Sequence, residues 1–459
     1  MESRSLKYVA ESCGGILYGG SPGTAVSRVC TDSREVERGD LFFALKGDRF
    51  DGEDYVPDVI ARGAAAAIVQ KSESVQPGGV YIKVDDTRAA LGKLALRYRS
   101  EFELDVIAVA GSNGKTTTKE LIASVLRQAK KILSSLASFN NDIGVPLTLL
   151  NLKASHQAAV LEVGTNHPGE LAPLVRMARP RFGVITNVGR EHLEFFRDLE
   201  GVAEEEGRLA ELLPENGKLF LGGVGPEMES ISRRCRAPVV RINADCEQAW
   251  KWRNPLVDRM GTRFWLEAPE KEFAGEYRIQ LLGSQQVANA VLAIRVGKEL
   301  GLDRAQVERG LAECRPAKMR MEPKQLKDIL ILNDAYNANP DSMAAGLRTL
   351  ADFPCAGRRV AVLGDMAELG EGTAAAHAEI GRLTAALRLD LLVAVGSRCA
   401  VLAEAARSAG IKAVNVFAGT EEAVSQVPEM IRAGDVVLVK ASRSARLERL
   451  AAAIEGHWT

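Results

Sequence analysis

Short apolar runs recur along this chain, each ending at a glycine or polar residue before a helical stretch begins. In residues 85–314 they are "DVIAVAG", "AAVLEVG", "FGVITNVG" and "KLFLGG". Stretches such as "KELIASVLRQAKK" and "ANAVLAIRVGKELG" separate them. Strands buried on both faces read as continuous apolar runs, and strand-helix alternation builds a parallel, doubly wound sheet. Such a sheet binds ligands at the carboxyl ends of its strands. The fold class is therefore α/β. With 459 residues the chain exceeds what one core holds, so several domains are expected.

Three blocks separate by pattern. Residues 1–84 form a small N-terminal α/β domain with short strands at "DLFFALKG", "AAAAIVQ" and "GVYIKV". Turn residues at "GDRFDGED" and "QPGG" divide them. In "DDTRAALGKLALRYRSEF", Asp and Thr stand at the start, and Leu91, Leu94, Ala95 and Tyr98 follow at helical spacing. That helix leads into the central block, 85–314, a doubly wound domain of the P-loop ATPase kind. The third block, 315–459, repeats the pattern with "DILILNDAY", "RRVAVLGD", "DLLVAVGS" and "DVVLVKAS". It reads as a compact Rossmann-like domain without the glycine fingerprint of dinucleotide binding.

Charge and cysteine content narrow the function. The 59 basic and 60 acidic side chains nearly cancel, which leaves no basic surface for nucleic acid. The seven cysteines are scattered, without metal-ligand or redox spacing, as in a reduced protein. The N-terminus lacks the apolar core of a leader, and no apolar window is long enough to span a bilayer. The expectation is a cytoplasmic protein with no membrane insertion.

The strand "DVIAVA" runs into Gly111-Ser112-Asn113-Gly114-Lys115-Thr116. The usual phosphate-loop spacing asks for a further glycine where Val109 stands. Even so, a glycine loop that ends a buried strand and opens a helix presents backbone N–H groups and the helix dipole to phosphate. Lys115 would reach the β- and γ-phosphates, and the Thr116 hydroxyl would bind Mg²⁺.

Other polar groups stand at neighbouring strand ends. Glu162 closes one apolar run, and Asn187, Arg190 and His192 follow the next. A carboxylate and an imidazole there can complete a metal shell beside triphosphate. In the third block, Asp334 ends a strand inside "NDAYNANPDSM", and Arg320 precedes it. The aspartate could bind ribose hydroxyls, and the arginine could stabilise phosphoryl-transfer charge. Each residue alone has a bland surface reading; their joint position beside a phosphate loop is the signal.

Together with "ASFNNDIGVPLTLL", "LEVGTNHPGE", "VLGDMAELG" and "TDSREVERGDLFFALKGDRFDGEDY", these stretches resemble the Mur ligases, in collinear order over nearly the whole chain. The resemblance implies an ATP-dependent ligase that joins a carboxylate to an amine in cytoplasmic peptidoglycan synthesis. It also implies a monomer whose three domains bind a UDP-sugar-peptide, ATP and the incoming amino component. "YNANPDSM", "NHPGE" and "FNNDIGVPLTLL" favour the branch that joins D-alanyl-D-alanine to UDP-N-acetylmuramoyl-tripeptide.

By resemblance, ATP is held by Gly111, Ser112, Asn113, Gly114, Lys115, Thr116, Thr117, Asn289, Arg320, Asp334 and Asn339. Thr116, Glu162 and His192 serve two Mg²⁺ ions. Lys115, His192, Arg320 and Glu206 take part in catalysis. Ser33, Arg34, Lys46, Asn140 and Asn141 contact substrate.

Three positions depart from the family pattern. Where relatives carry a carbamylated lysine, this chain has Glu206, expected to supply the negative charge permanently. Its bland reading is a solvated helix face. Gln285-Gln286 stand where His-Asn is usual, and Glu53 stands where His is usual. Two alternatives remain open at this point. One is another Mur-type peptide ligase, either the one adding the third residue or a folylpolyglutamate-like enzyme. The other is a phosphate-loop NTPase acting as a switch or binding module.

Overall fold

In a computed structural model of the chain, residues 1–47, 50–71, 74, 77–242 and 250–459 are described. Parts of the two turn stretches (Asp48, Arg49 and Gln76) and Cys246 lie outside the described residues. The chain divides into two compact units. The first comprises Met1–Ala108, Lys130–Thr165 and Gly169–Phe182; the second comprises Val109–Ala129, Asn166–Pro168 and Gly183–Thr459.

In the first unit, the strands foreseen in residues 1–84 form a five-stranded sheet. Its order is Ile16–Tyr18, Tyr81–Lys83, Ala66–Val69, Leu41–Phe43, Val29–Cys30. The first pair is antiparallel and the others are parallel. Helix Thr87–Arg99 begins where Asp86 accepts a hydrogen bond from the Ala89 N–H at 2.8 Å. It buries Leu91, Leu94, Ala95 and Tyr98, as their spacing predicts. The strand Ala158–Glu162 pairs in parallel with Ile132–Ser134 and ends on the buried Glu162.

The first unit also accounts for Glu53. Its buried carboxylate accepts from the Gln70 N–H at 2.7 Å, the Lys71 N–H at 3.1 Å and the Ser74 hydroxyl. It holds the chain that leaves the strand Ala66–Val69.

The strands Asp105–Ala110 and Phe182–Ile185 run from the first unit into the second. In the second unit Thr186 N–H donates to Ala110 O at 3.0 Å. Helices Lys115–Leu126 and Gln285–Glu299 pack together there, and Lys218–Leu221 pairs in parallel with Val239–Arg241. An antiparallel meander of Lys251–Asp258, Gly261–Glu267 and Gly275–Ile279 was not foreseen.

The last sheet has the order Glu322–Leu326, Ile329–Asp334, Val436–Lys440, Arg359–Gly364, Leu391–Val395, Val414–Phe417. All of its pairs are parallel except the first. That antiparallel edge strand contains Pro323, which an edge tolerates because one side of the strand needs no donor. Successive residues alternate between two cores. Leu330, Leu332, Ala361 and Leu363 face one, while Ile329, Ile331, Val360 and Val362 face the other. Burial on both faces explains the unbroken apolar runs in the sequence.

Among the described residues no helix is long and apolar enough to cross a membrane. The cysteines at 13, 30, 235, 314, 355 and 399 are unbonded thiols.

Candidate active site

The loop after Asp105–Ala110 is held by its backbone. Gly111 has φ +110° and Gly114 φ +85°, a region that favours glycine. A Cβ on Gly111 would lie 2.4 Å from Thr186 Oγ1, and one on Gly114 would lie 2.7 Å from Asn289 Oδ1. The two glycines are therefore required by space as well as by φ, and the turn begins at Gly111 rather than at Val109. Asn187 fixes the middle of the loop: its Oδ1 accepts from Asn113 N–H at 3.0 Å and its Nδ2 donates to Asn113 O at 2.8 Å. Ser112 Oγ accepts from Gly189 N–H at 2.8 Å. Thr117 follows in the first turn of the helix.

Lys115 folds back over this loop. Its ammonium donates to Gly111 O and Ser112 O and lies 3.3 Å from Glu191 Oε2. Glu206 does not lie on a solvated helix face. It is buried at the end of helix Leu199–Glu206, and its Oε2 accepts from Gly111 N–H at 2.7 Å. Its Oε1 is buried without a hydrogen-bond partner. Burial, opposed by Lys115 and reinforced by Glu191, pushes its carboxyl up to about 8. Burial thus favours the neutral acid at Glu206, against the pull of Lys115.

His192 takes a left-handed backbone, φ +49°, and its Nδ1 contacts Glu368 Oε2 at 2.5 Å. That contact holds the Glu368 carboxyl below its ordinary value. Thr116 Oγ1 is buried and has no hydrogen-bond partner. In the first unit, Glu162 Oε1 accepts from Asn140 Nδ2 at 2.9 Å, while Glu162 Oε2 is buried without a partner. Unpartnered buried oxygens are hard donors of the kind a magnesium ion takes, and a histidine backed by a carboxylate is a common ligand arrangement.

The segment that follows strand Ile329–Asp334 of the last sheet reaches the loop. Asn339 caps helix Pro340–Asp352, and its Nδ2 donates to Asn113 Oδ1 at 2.9 Å. Arg190 forks between two carboxylates: Nε donates to Asp341 Oδ1 at 2.9 Å and Nη1 to Glu379 Oε2 at 2.7 Å. Arg320 stacks 4.1 Å over the Tyr336 ring, between Met319 and Met321, both with positive φ. Backbone held in that region by non-glycine residues is strained, and such strain concentrates at functional sites.

Asp334 already has two partners. Oδ1 accepts from Met321 N–H at 2.9 Å and Oδ2 from the buried Lys440 ammonium at 2.7 Å, so any ribose contact must use its remaining lone pairs.

A narrow cleft is lined by Thr117, Glu120, Leu282, Gln286, Pro316 and Arg320, among others. Gln286 Oε1 accepts from Asn289 Nδ2 at 2.9 Å, and Gln285 Oε1 from the Thr349 hydroxyl at 3.2 Å. Both amides that replace His-Asn are therefore engaged within the fold.

The remaining substrate candidates lie in the first unit. Arg34 is exposed and forks onto Asp32 at 2.9 and 2.6 Å. Ser33 O accepts from Arg62 at 2.8 Å, and Lys46 bridges in an antiparallel sense to Asp51. Asn141 Oδ1 accepts from Gly144 N–H at 2.9 Å, at the start of helix Gly144–Leu149. Glu191, Glu368, Asp341 and Lys440 were not foreseen as site residues. For Glu191 the available signal was its place beside His192 just beyond a strand end.

Residues 25–99 match the Mur ligase family catalytic domain, 109–297 the Mur ligase middle domain, and 319–443 the Mur ligase glutamate ligase domain. The chain is 34% identical to UDP-N-acetylmuramoyl-tripeptide--D-alanyl-D-alanine ligase of Escherichia coli, over 100% of both chains. The chain belongs to the Mur ligase family. Among solved Mur ligases, MurF from Acinetobacter baumannii is similar over 99% of both chains, with 31% identity and a TM-score of 0.90. MurF from Thermotoga maritima in complex with ADP is similar over 94% of this chain and 98% of that one, with 27% identity and a TM-score of 0.82. Mur ligase membership sets aside the switch or binding module considered from the sequence.

Proposed function

We propose that this chain is the ATP-dependent ligase that adds D-alanyl-D-alanine to UDP-N-acetylmuramoyl-tripeptide, in the cytoplasmic stage of peptidoglycan precursor synthesis. The observation that carries the reading is the full-length 34% identity to an enzyme of that name, in a chain whose phosphate loop is built as described. We place the domain boundaries at 84/85 and 314/315, with the UDP-sugar-peptide in the first domain and ATP in the second.

In this reading the tripeptide's terminal carboxylate attacks the γ-phosphate and ADP leaves. The amine of D-alanyl-D-alanine then attacks the acyl carbon, and phosphate departs with the oxygen it had accepted. The first step brings two anions together. Lys115 carries a positive charge to the β- and γ-phosphates from the helix N-terminus, where the N–H groups of 114–116 would cradle them. Arg320, aimed by its strained flanks, offsets charge on the transferring phosphoryl group. Asn289, packed on Gly114, and Asn339, bonded to Asn113, fix the loop from two sides. Thr116, Glu162 and His192 are the residues that would hold magnesium, which when bound neutralises charge between phosphate and carboxylate. Asn140 orients Glu162 for that task. Ser33, Arg34, Lys46 and Asn141 are assigned to the UDP-peptide.

A mixed-substrate assay tests the reading. ADP release should require both UDP-N-acetylmuramoyl-tripeptide and D-alanyl-D-alanine, and product mass should show their condensation. Because Glu206 stands in place of a carbamylated lysine, turnover should be the same in CO₂-depleted buffer and with added bicarbonate. ADP release without D-alanyl-D-alanine, or equal turnover with a glutamyl acceptor, would refute the assignment.

A further inference from the structure

The cation of the phosphate loop is not bare. Lys115 is paired across its mouth with Glu191, and the two side chains are 14% and 8% exposed. Glu191 is not loosely hung there. Its N–H donates to Gly189 O at 2.9 Å. The residue before it, Arg190, is forked onto Asp341 and Glu379, and the residue after it, His192, is held by Glu368. The backbone carrying the carboxylate is thus pinned on both sides. The other buried carboxylate, Glu206, is committed through Oε2 to Gly111 N–H.

We propose that Glu191 is a counter-ion that competes with nucleotide phosphate for Lys115, so that nucleotide and divalent cation bind as a coupled pair. A phosphate entering the loop must draw the ammonium from Glu191. Glu191 is then left as a buried carboxylate beside an anionic ligand, and both like-charge repulsion and lost pairing oppose that state. A divalent cation arriving with the nucleotide supplies the missing positive charge. Thermodynamic linkage then makes each ligand raise the affinity for the other. The inference rests on the nucleotide site proposed above and adds the residue that sets its cation dependence.

ADP binding, measured by calorimetry without acceptor or donor substrate, tests both claims separately. Binding of ADP to the wild type in Mg²⁺ tests the nucleotide site itself; its absence would remove that site and this inference together. The ratio between variants tests Glu191. In EDTA, Glu191→Gln should bind ADP roughly tenfold more tightly than the wild type, and in Mg²⁺ the gap should shrink to less than about threefold. Glu191→Asp, which keeps the charge but shortens the reach, should fall between the two. Glu194→Gln removes an exposed carboxylate nearby that is not on Lys115, and should leave affinity unchanged in EDTA. Equal or weaker ADP binding by Glu191→Gln in EDTA would overturn the proposal. So would a gain of the same size in Mg²⁺, or an equal gain from Glu194→Gln.

Discussion

Single residues in this chain change meaning once their partners are visible. Glu53 has no evident reason in the sequence. In the fold its carboxylate collects two backbone N–H groups and a hydroxyl from Gln70, Lys71 and Ser74. A neutral amide cannot accept on both ends, and hydrogen bonds to a buried charge contribute about 1.5–3 kcal/mol. Glu53→Gln should therefore lower stability by about 2 kcal/mol, read as a fall in the denaturant midpoint at constant slope. An unchanged midpoint would mean that these donors are as well served by water. Val109 is the converse case. The missing glycine there looks like a defect in a phosphate loop, but the positive φ falls at Gly111, where Thr186 leaves no room for a Cβ.

At the scale of elements, the loop after Phe182–Ile185 does more than end a strand. Its Arg190 ties the start of helix Pro340–Asp352, through Asp341, to helix Thr373–Ala386, through Glu379. These carboxylates hold the guanidinium above its ordinary pKa, Glu379 more strongly than Asp341. The side chains are partly exposed, so the fork is worth modest stability, about 1 kcal/mol. Its effect should be local order. Arg190→Gln should speed amide hydrogen exchange in the first two turns of Pro340–Asp352 and around Glu379, and leave exchange in Leu391–Val395 unchanged. Arg190→Lys should restore only part of the protection, because an ammonium cannot fork onto two carboxylates in fixed geometry. High salt should move the wild type toward the variant. Exchange rates indifferent to all three changes would show that the helices are held without Arg190.

Across the whole molecule, the sequence was most legible where one local pattern decides the outcome. Strands such as Ile329–Asp334 and Val436–Lys440, buried on both faces, announce themselves as apolar runs, and the glycines at 111 and 114 announce the turn from strand to helix. The meander over 251–279 was illegible because its strands are partly exposed and interleave charged residues such as Arg253 and Arg263 with apolar ones. The pairing of Glu191 with Lys115 and of Asp334 with Lys440 was hidden for another reason: it joins residues far apart in the chain.

Glu206 shows the same limit. Its position could be counted from sequence, but its burial could not, and burial decides its charge. Its folded value of about 8 lies well above the ordinary 4.5. Between those values the folded state keeps a proton that the unfolded chain has released, so stability falls as pH rises through this window. Glu206→Gln keeps an acceptor for Gly111 N–H and removes the titration. Without nucleotide or divalent cation, the variant and the wild type should melt together near pH 5. The variant should then become progressively more stable relative to the wild type up to pH 8, by several degrees. Melting curves that stay parallel across that range would show that Glu206 ionises freely in the folded protein.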